Sequence, residues 1–206
     1  MKPAEDNLLK SKGDNPYKVF TTSIANDFTQ VNKTFSSMEY VDYCLKMYDD
    51  YLARHSFTRG GKRSLTGSIF ELIVATELYR KGIYPMYLQA CVEFVPNIVY
   101  DILLFKGPIP IVLSLKTSLR ERFKQADLEA LAIRNVHRKA ENYLITLNKT
   151  EAKNMNRLIV NDDVFALKEV IVANSERFNE FVNSLSKNIY TTPAMIHVVK
   201  TGTLVD

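Results

Sequence analysis

Apolar and aromatic side chains recur between Ser37 and Ala53 at Met38, Val41, Tyr43, Leu45, Met47, Tyr48 and Leu52, a pattern that predicts a helix. Ahead of it, residues 1–17 are polar and carry Lys, Asp, Asn, Gly and Pro, the composition of a mobile arm or a loosely docked lead-in. The run HSFTRGGKRSLTG then breaks the pattern, its paired Gly60 and Gly61 standing beside a concentration of positive charge. Ser64 or Thr66 is expected to cap a second helix, in which Phe70, Ile73, Val74, Glu77 and Leu78 keep amphipathic spacing until Gly82 ends it.

Three β-rich segments follow, roughly Pro85–Val95, Ile98–Phe105 and Ile109–Thr117, separated by Pro96-Asn97 and by Lys106-Gly107-Pro108. That punctuation predicts a β-meander. A helix is expected from about Arg122 to Asn135, a strand at Tyr143–Leu147, a helical tail from Lys153 to Leu185 and a last short strand at Met195–Val199. The order of elements predicts an α/β fold with a central mixed sheet flanked by helices and helical additions at both ends. It divides the chain into an N-terminal arm and helical region, 1–63, and a core with a helical C-terminal part, 64–206.

At 206 residues and 46% hydrophobic, the chain can bury one sizeable core. Cys44 and Cys91 match no zinc-ligand spacing and no disulfide framework, so both are expected to be reduced. No apolar run approaches the roughly 20 residues of a membrane span, and the polar start lacks the apolar core of a signal peptide. A cytoplasmic, soluble protein without a membrane partner is the expectation. His55, His137 and His197 show no metal or triad spacing.

A formal charge of +4 is only mildly basic, and its distribution is more informative. Lys116, Arg120, Arg122, Lys124, Arg134, Arg138 and Lys139 crowd one stretch, and Arg54, Arg59, Lys62 and Arg63 another. Such clusters are either solvated faces or contacts to phosphates and outer base pairs. Gln125, three and four positions from Arg122 and Glu129, shares their helical face.

The chemistry concentrates at Asp101, in the otherwise apolar VYDILLF, where an ionised carboxylate is costly unless paired or bound to a cation. Ser114 and Lys116 in IVLSLKTS are two apart and share one face of a strand, with Leu113 and Leu115 on the other. If these strands pair, Asp101 and Lys116 project into one small volume, with Glu129 on the next helix and Glu71 on the helix before the sheet. Such a set suits phosphodiester hydrolysis, in which hard carboxylate oxygens bind Mg²⁺ and a lysine orients the nucleophile. The bland alternative is a cross-strand Asp101–Lys116 ion pair with Glu129 on a solvated helix face.

The run SLKTSLRERFKQADLE, Ser114 to Glu129, resembles the active-site and recognition segment of PD-(D/E)XK restriction endonucleases that cleave CCGG-, CCNGG- and CCWGG-type sites. In that branch a small residue replaces the usual acid two before the lysine, and the missing carboxylate comes from the next helix, as in S-x-K-x12-E. The resemblance implies a restriction-endonuclease-like core. It assigns Asp101, Lys116, Glu129, Glu71 and Ser114 to catalysis, and Mg²⁺ to Asp101 and Glu129. Tyr100 stands where the motif name has proline. The family places recognition residues just after the lysine, which implies that role for Arg120, Glu121 and Arg122. Apart from the resemblance, the helix face of Gln125 and the basic cluster of Arg59 make these two further candidates for DNA contacts. An adjacent Arg-Glu pair suits a G·C pair, arginine donating to guanine O6 and N7 and glutamate accepting from cytosine N4. The expected function is Mg²⁺-dependent cleavage of double-stranded DNA at a short G·C-containing palindrome by a homodimer. Two alternatives remain open: a repair, nicking or structure-selective nuclease of the same fold, and a non-catalytic nucleic-acid-binding protein.

Overall fold

The computed structural model describes residues 15–25, 35–95, 97–119, 122–193, 198–200 and 203–206. Asn15 caps a short helix α1 (Pro16–Val19), which continues as a π-helical stretch, Phe20–Ile24, with Pro16, Val19, Phe20 and Ile24 buried. The expected arm, 1–17, is therefore docked by its end, and the remainder lies outside the described residues. Helix α2 (Ser37–Arg54) opens with a capping box between Ser36 and Glu39 and buries Tyr40, Val41, Cys44 and Tyr48.

Helix α3 (Arg59–Arg80) starts earlier than Ser64 or Thr66 would place it. Thr58 is its N-cap, and Thr58 Oγ1 accepts the Gly61 N–H at 3.1 Å. Gly60 and Gly61 thus lie inside the helix. Two glycines cost about 1 kcal/mol each against alanine, and burial of the helix from Leu65 onward offsets that cost. The boundary expected between 63 and 64 falls within this helix. Its end matches expectation, since Gly82 adopts φ +74 and Ile83 N–H bonds back to Leu78 O.

The meander forms as β1 (Met86–Val92), β2 (Tyr100–Lys106) and β3 (Ile109–Lys116), each antiparallel to the next. After α4 (Arg122–Val136), β4 (Glu141–Thr146) pairs parallel to β3. The expected helical tail is interrupted: α5 (Lys149–Val160) and α6 (Glu176–Ser186) flank β5 (Glu169–Val172), which pairs parallel to β4. The short EVIV segment takes strand form because its backbone completes the ladder beside β4, a tertiary gain that local pattern does not carry. At the other edge, β6 (Val198–Lys200) and β7 (Thr203–Val205) both pair with β1. The strand expected at Met195–Val199 is matched in part by β6, while 195–197 lie outside the described residues.

The seven-stranded mixed sheet runs β5-β4-β3-β2-β1-β6, with β7 also on β1. One face carries α1, α2, α3 and α6 over Met86, Leu88, Ile102, Leu104, Leu113 and Ile145. The other carries α4 and α5 over Leu103, Phe105, Val112, Leu144 and Val170. Phe178 and Phe181 are core, whereas Phe165 is exposed. Among the described residues no helix is long and apolar enough to cross a membrane.

Candidate active site

The side-chain alternation of β1 and β2 slips at one shared level. Met86 and Leu88 belong to the cluster beneath α3, while Tyr87, Ala90 and Val92 belong to the opposite cluster. In β2, Ile102 and Leu104 face the first cluster, and Tyr100 joins Leu103 and Phe105 in the second. The two-residue period fails between Leu88 and Ala90 and again between Tyr100 and Ile102, which pair with each other in reverse order. The residues at the slip are Gln89 and Asp101. Gln89 has φ +51, an unusual and strained conformation for a non-glycine residue in a strand.

Four elements meet here: α3, β1, β2 and β3. Lys116 Nζ donates to Asp101 Oδ2 at 2.9 Å, and the Leu115 N–H donates to the same oxygen at 2.7 Å. The β2–β3 ladder has its last pair at Ile102↔Leu113, so the carboxylate takes over where the partner backbone stops. Gln89 Nε2 donates to Glu71 Oε2 at 2.9 Å and lies 3.4 Å from Asp101 Oδ1. One amide nitrogen from β1 therefore ties a carboxylate of α3 to one of β2. Ser68, Glu71, Leu72, Gln89, Asp101 and Ile102 line a cleft at this point.

Burial first, and the neighbouring Asp101 charge second, push the Glu71 carboxyl up to about 7. Lys116 and the Gln89 hydrogen bond oppose that shift. Two acids held close together with little water favour a shared proton or a cation. Burial also raises the Tyr100 hydroxyl, with Glu129 and Cys91 adding to the effect.

The sequence-derived candidates separate into groups. Asp101, Lys116 and Glu71 come together. Leu113 and Leu115 pack beneath α3, so the strand alternation leaves Ser114, 5% exposed, on the side of Lys116. Glu129 stands apart on α4, where its Oε1 accepts from Gln125 Nε2 at 2.8 Å. Its backbone carbonyl accepts the Tyr100 hydroxyl at 3.2 Å, so the side chain that precedes Asp101 in β2 reaches α4. Among the described residues, no three acidic, His or Cys side chains stand close enough to hold one metal ion. The structure thus brings Glu71, not Glu129, to Asp101, because α4 turns Ala126, Ala130 and Ile133 into the core. Arg122 and Gln125 are exposed at the start of α4, and Arg59 is exposed at the start of α3. Arg120 and Glu121 lie outside the described residues.

Two residues of the site carried no signal in the sequence pattern. Gln89 looks like an ordinary polar strand position. Glu151, in the first turn of α5, accepts the Leu119 N–H at 2.6 Å and the Ser118 hydroxyl at 3.4 Å, fastening the turn that follows Lys116. Mg²⁺ commonly binds through one or two carboxylates, with water and phosphate oxygens completing the shell. Asp101 and Glu71 meet that requirement, and a divalent charge would remove the repulsion that raises Glu71. No family model, curated protein or solved structure matches the chain.

Proposed function

We propose that the chain is a Mg²⁺-dependent endonuclease with a restriction-endonuclease-like core, cutting double-stranded DNA at a short G·C-containing palindrome in the cytoplasm. The observation that carries this reading is the meeting of the Asp101 and Glu71 carboxylates, from β2 and α3, in one part-buried cleft, with the Lys116 amine of β3 bonded to Asp101. The order helix, three antiparallel strands, helix, parallel strand agrees with the resemblance carried by Ser114 to Glu129.

Asp101 and Glu71 would hold the Mg²⁺, with Gln89 fixing their separation. When bound, the ion would polarise the scissile phosphate and lower the pKa of a water. Lys116, placed on a central strand, would orient the attacking water and offset charge on the phosphate. Ser114 replaces an acid and leaves room beside the lysine. Glu129, bonded to Gln125 on α4, would join only after leaving that partner. Arg120, Glu121 and Arg122, which follow in sequence the residues that Glu151 fastens, would read bases. Since a palindrome has two-fold symmetry, a homodimer would present one centre to each strand.

Plasmid DNA incubated with Mg²⁺ tests the reading. The wild type is expected to give defined fragments and Lys116→Ala none, with end sequencing giving the site. Intact DNA under all conditions counts against a nuclease. The closed Asp101–Lys116 pair also suits a scaffold that binds nucleic acid without cutting it. Metal-independent binding unchanged in Asp101→Asn, together with no cleavage, would favour that second reading.

A further inference from the structure

The first turns of α3 overhang the body of the protein. Every residue from Thr58 to Ser64 is exposed, and Leu65 is the first buried position of the helix. The overhang carries Arg59, Lys62 and Arg63, with no acid in the first turn. None of the three makes an ion pair with a described residue, and the nearest acids upstream in sequence, Asp49 and Asp50, belong to α2.

Local physics disfavours this arrangement three times over. Cations at a helix N-terminus oppose the macrodipole. Arg59 and Arg63, four apart, are like charges on one face. Gly60 and Gly61 weaken the same turn, and neither has the positive φ that would require glycine. Violations concentrated at one point are expected where a site, not stability, sets the sequence. A polyanion would turn the first two penalties into attraction.

Geometry relates the overhang to the cleft. Arg63 precedes Glu71 by eight residues and Arg59 by twelve, hence by about 12 and 18 Å along the helix axis. At a step of about 100° per residue, Gly60, Ser64 and Gly67 fall within about 40° of Glu71, while Arg63 and Arg59 lie to one side of that line, at about 80° and 120°, and Lys62 lies opposite it. A Cβ at Gly60 or Gly67 would meet nothing within 4 Å, so the line is open. The ring cluster of Tyr51, His55 and Phe57 packs the α2–α3 turn and holds the overhang in place.

We infer that Arg59 and Arg63 form a phosphate track that holds the backbone of duplex DNA roughly four to five nucleotides from the scissile phosphate, taking about 3.4 Å of rise per nucleotide. The track rests on the nuclease reading and deepens it: these arginines grip phosphates and do not read bases. Rings hold the turn, small residues leave the approach free, and the cations supply affinity that is independent of sequence.

Binding to a duplex oligonucleotide of random sequence, followed by fluorescence anisotropy over a range of KCl with EDTA present, tests the inference. Each phosphate contact contributes about 0.9 to the slope of log K against log salt. Arg59→Gln/Arg63→Gln is expected to lower the slope by about 1.8, with its thermal midpoint unchanged or raised, while Lys62→Gln changes the slope by less than either arginine. An unchanged slope in the double variant, or a wild type that does not bind duplex DNA, overturns the track. Because this assay contains no Mg²⁺ and reads no cleavage, the two ideas fail separately. A wild type that cuts DNA while the double variant keeps its slope loses the track alone. A chain that never cuts but shows the loss keeps the track and loses the nuclease.

Discussion

The Lys116 ammonium and the Asp101 carboxylate meet at 2.9 Å across the β2–β3 hairpin, on an oxygen that also accepts the Leu115 N–H. Their side chains are 16% and 11% exposed, so neither charge is well hydrated. Removing one member of a buried pair strands the other, but Asp101 would keep Leu115 and Gln89 as partners. Lys116→Met is therefore expected to cost about 1–3 kcal/mol in urea denaturation. Its cleavage rate should fall by about 10²-fold or more while duplex binding persists. A variant that cuts at the wild-type rate would remove Lys116 from the chemistry.

Glu71 gives the site a pH signature. Its carboxyl binds a proton more tightly in the fold, at about 7, than in a free carboxyl at 4.5. A raised value means that this stabilisation is complete below about 4.5 and is lost as pH rises through about 7. The metal-free wild type should therefore lose up to about 3 kcal/mol relative to Glu71→Gln between pH 4 and pH 8. Mg²⁺ favours the ionised form and should stabilise the wild type at pH 8 more than it stabilises Glu71→Gln. Parallel pH profiles of the thermal midpoint for the two proteins would show that Glu71 is not buried against Asp101.

Gln89 sets strain against function. A left-handed conformation costs a non-glycine residue about 1–2 kcal/mol, and Gln89 adopts it at φ +51 while joining Glu71 to Asp101. Gln89→Gly relieves the backbone and removes the tie. Its stability is expected to be equal to or above wild type, whereas Mg²⁺ affinity measured by calorimetry should fall about 10-fold or more. Loss of stability with unchanged Mg²⁺ affinity would make Gln89 a structural residue only.

Several of these features were visible in the chain and others were not, for physical reasons. Punctuation at Lys106-Gly107-Pro108 made a tight hairpin readable, and the two-residue spacing of Ser114 and Lys116 gave their common face. Period-two logic fails where β1 and β2 exchange faces, so nothing marked Gln89, and Asp101 could not be assigned its α3 partner over the α4 one. The EVIV strand is four residues long and depends on β4, which no local window contains. Gly60 and Gly61 look like a break because propensity is local, whereas the Thr58 cap and the buried length of α3 decide where that helix starts.

Glu129 and Glu71 compete for one role, and their neighbours rank them. Glu71 is tied to Asp101 through a single amide, while Glu129 accepts from Gln125 on the solvent-facing side of α4. Glu71→Gln should weaken Mg²⁺ binding by about 10-fold or more, and Glu129→Gln should change it far less in the absence of DNA. Equal losses would show that Glu129 swings into the centre on metal binding.

Glu151 places the turn that leaves β3. Leu119 is 1% exposed, and its N–H donates to the Glu151 carboxylate at 2.6 Å, with no backbone acceptor among the described residues. The bond is charge-assisted, and loss of the acceptor leaves a buried amide unsatisfied, at about 1–3 kcal/mol. Glu151→Ala should therefore speed hydrogen exchange across residues 117–119 and lower thermal stability. Glu151→Gln, which keeps a neutral acceptor, should recover part of both. The turn lies between Lys116 and Arg122, so a loosened turn should act on substrate recognition before chemistry, raising KM for DNA several-fold with a smaller change in kcat. A fall in kcat at constant KM would place the effect of Glu151 on Lys116 instead of on the proposed recognition segment.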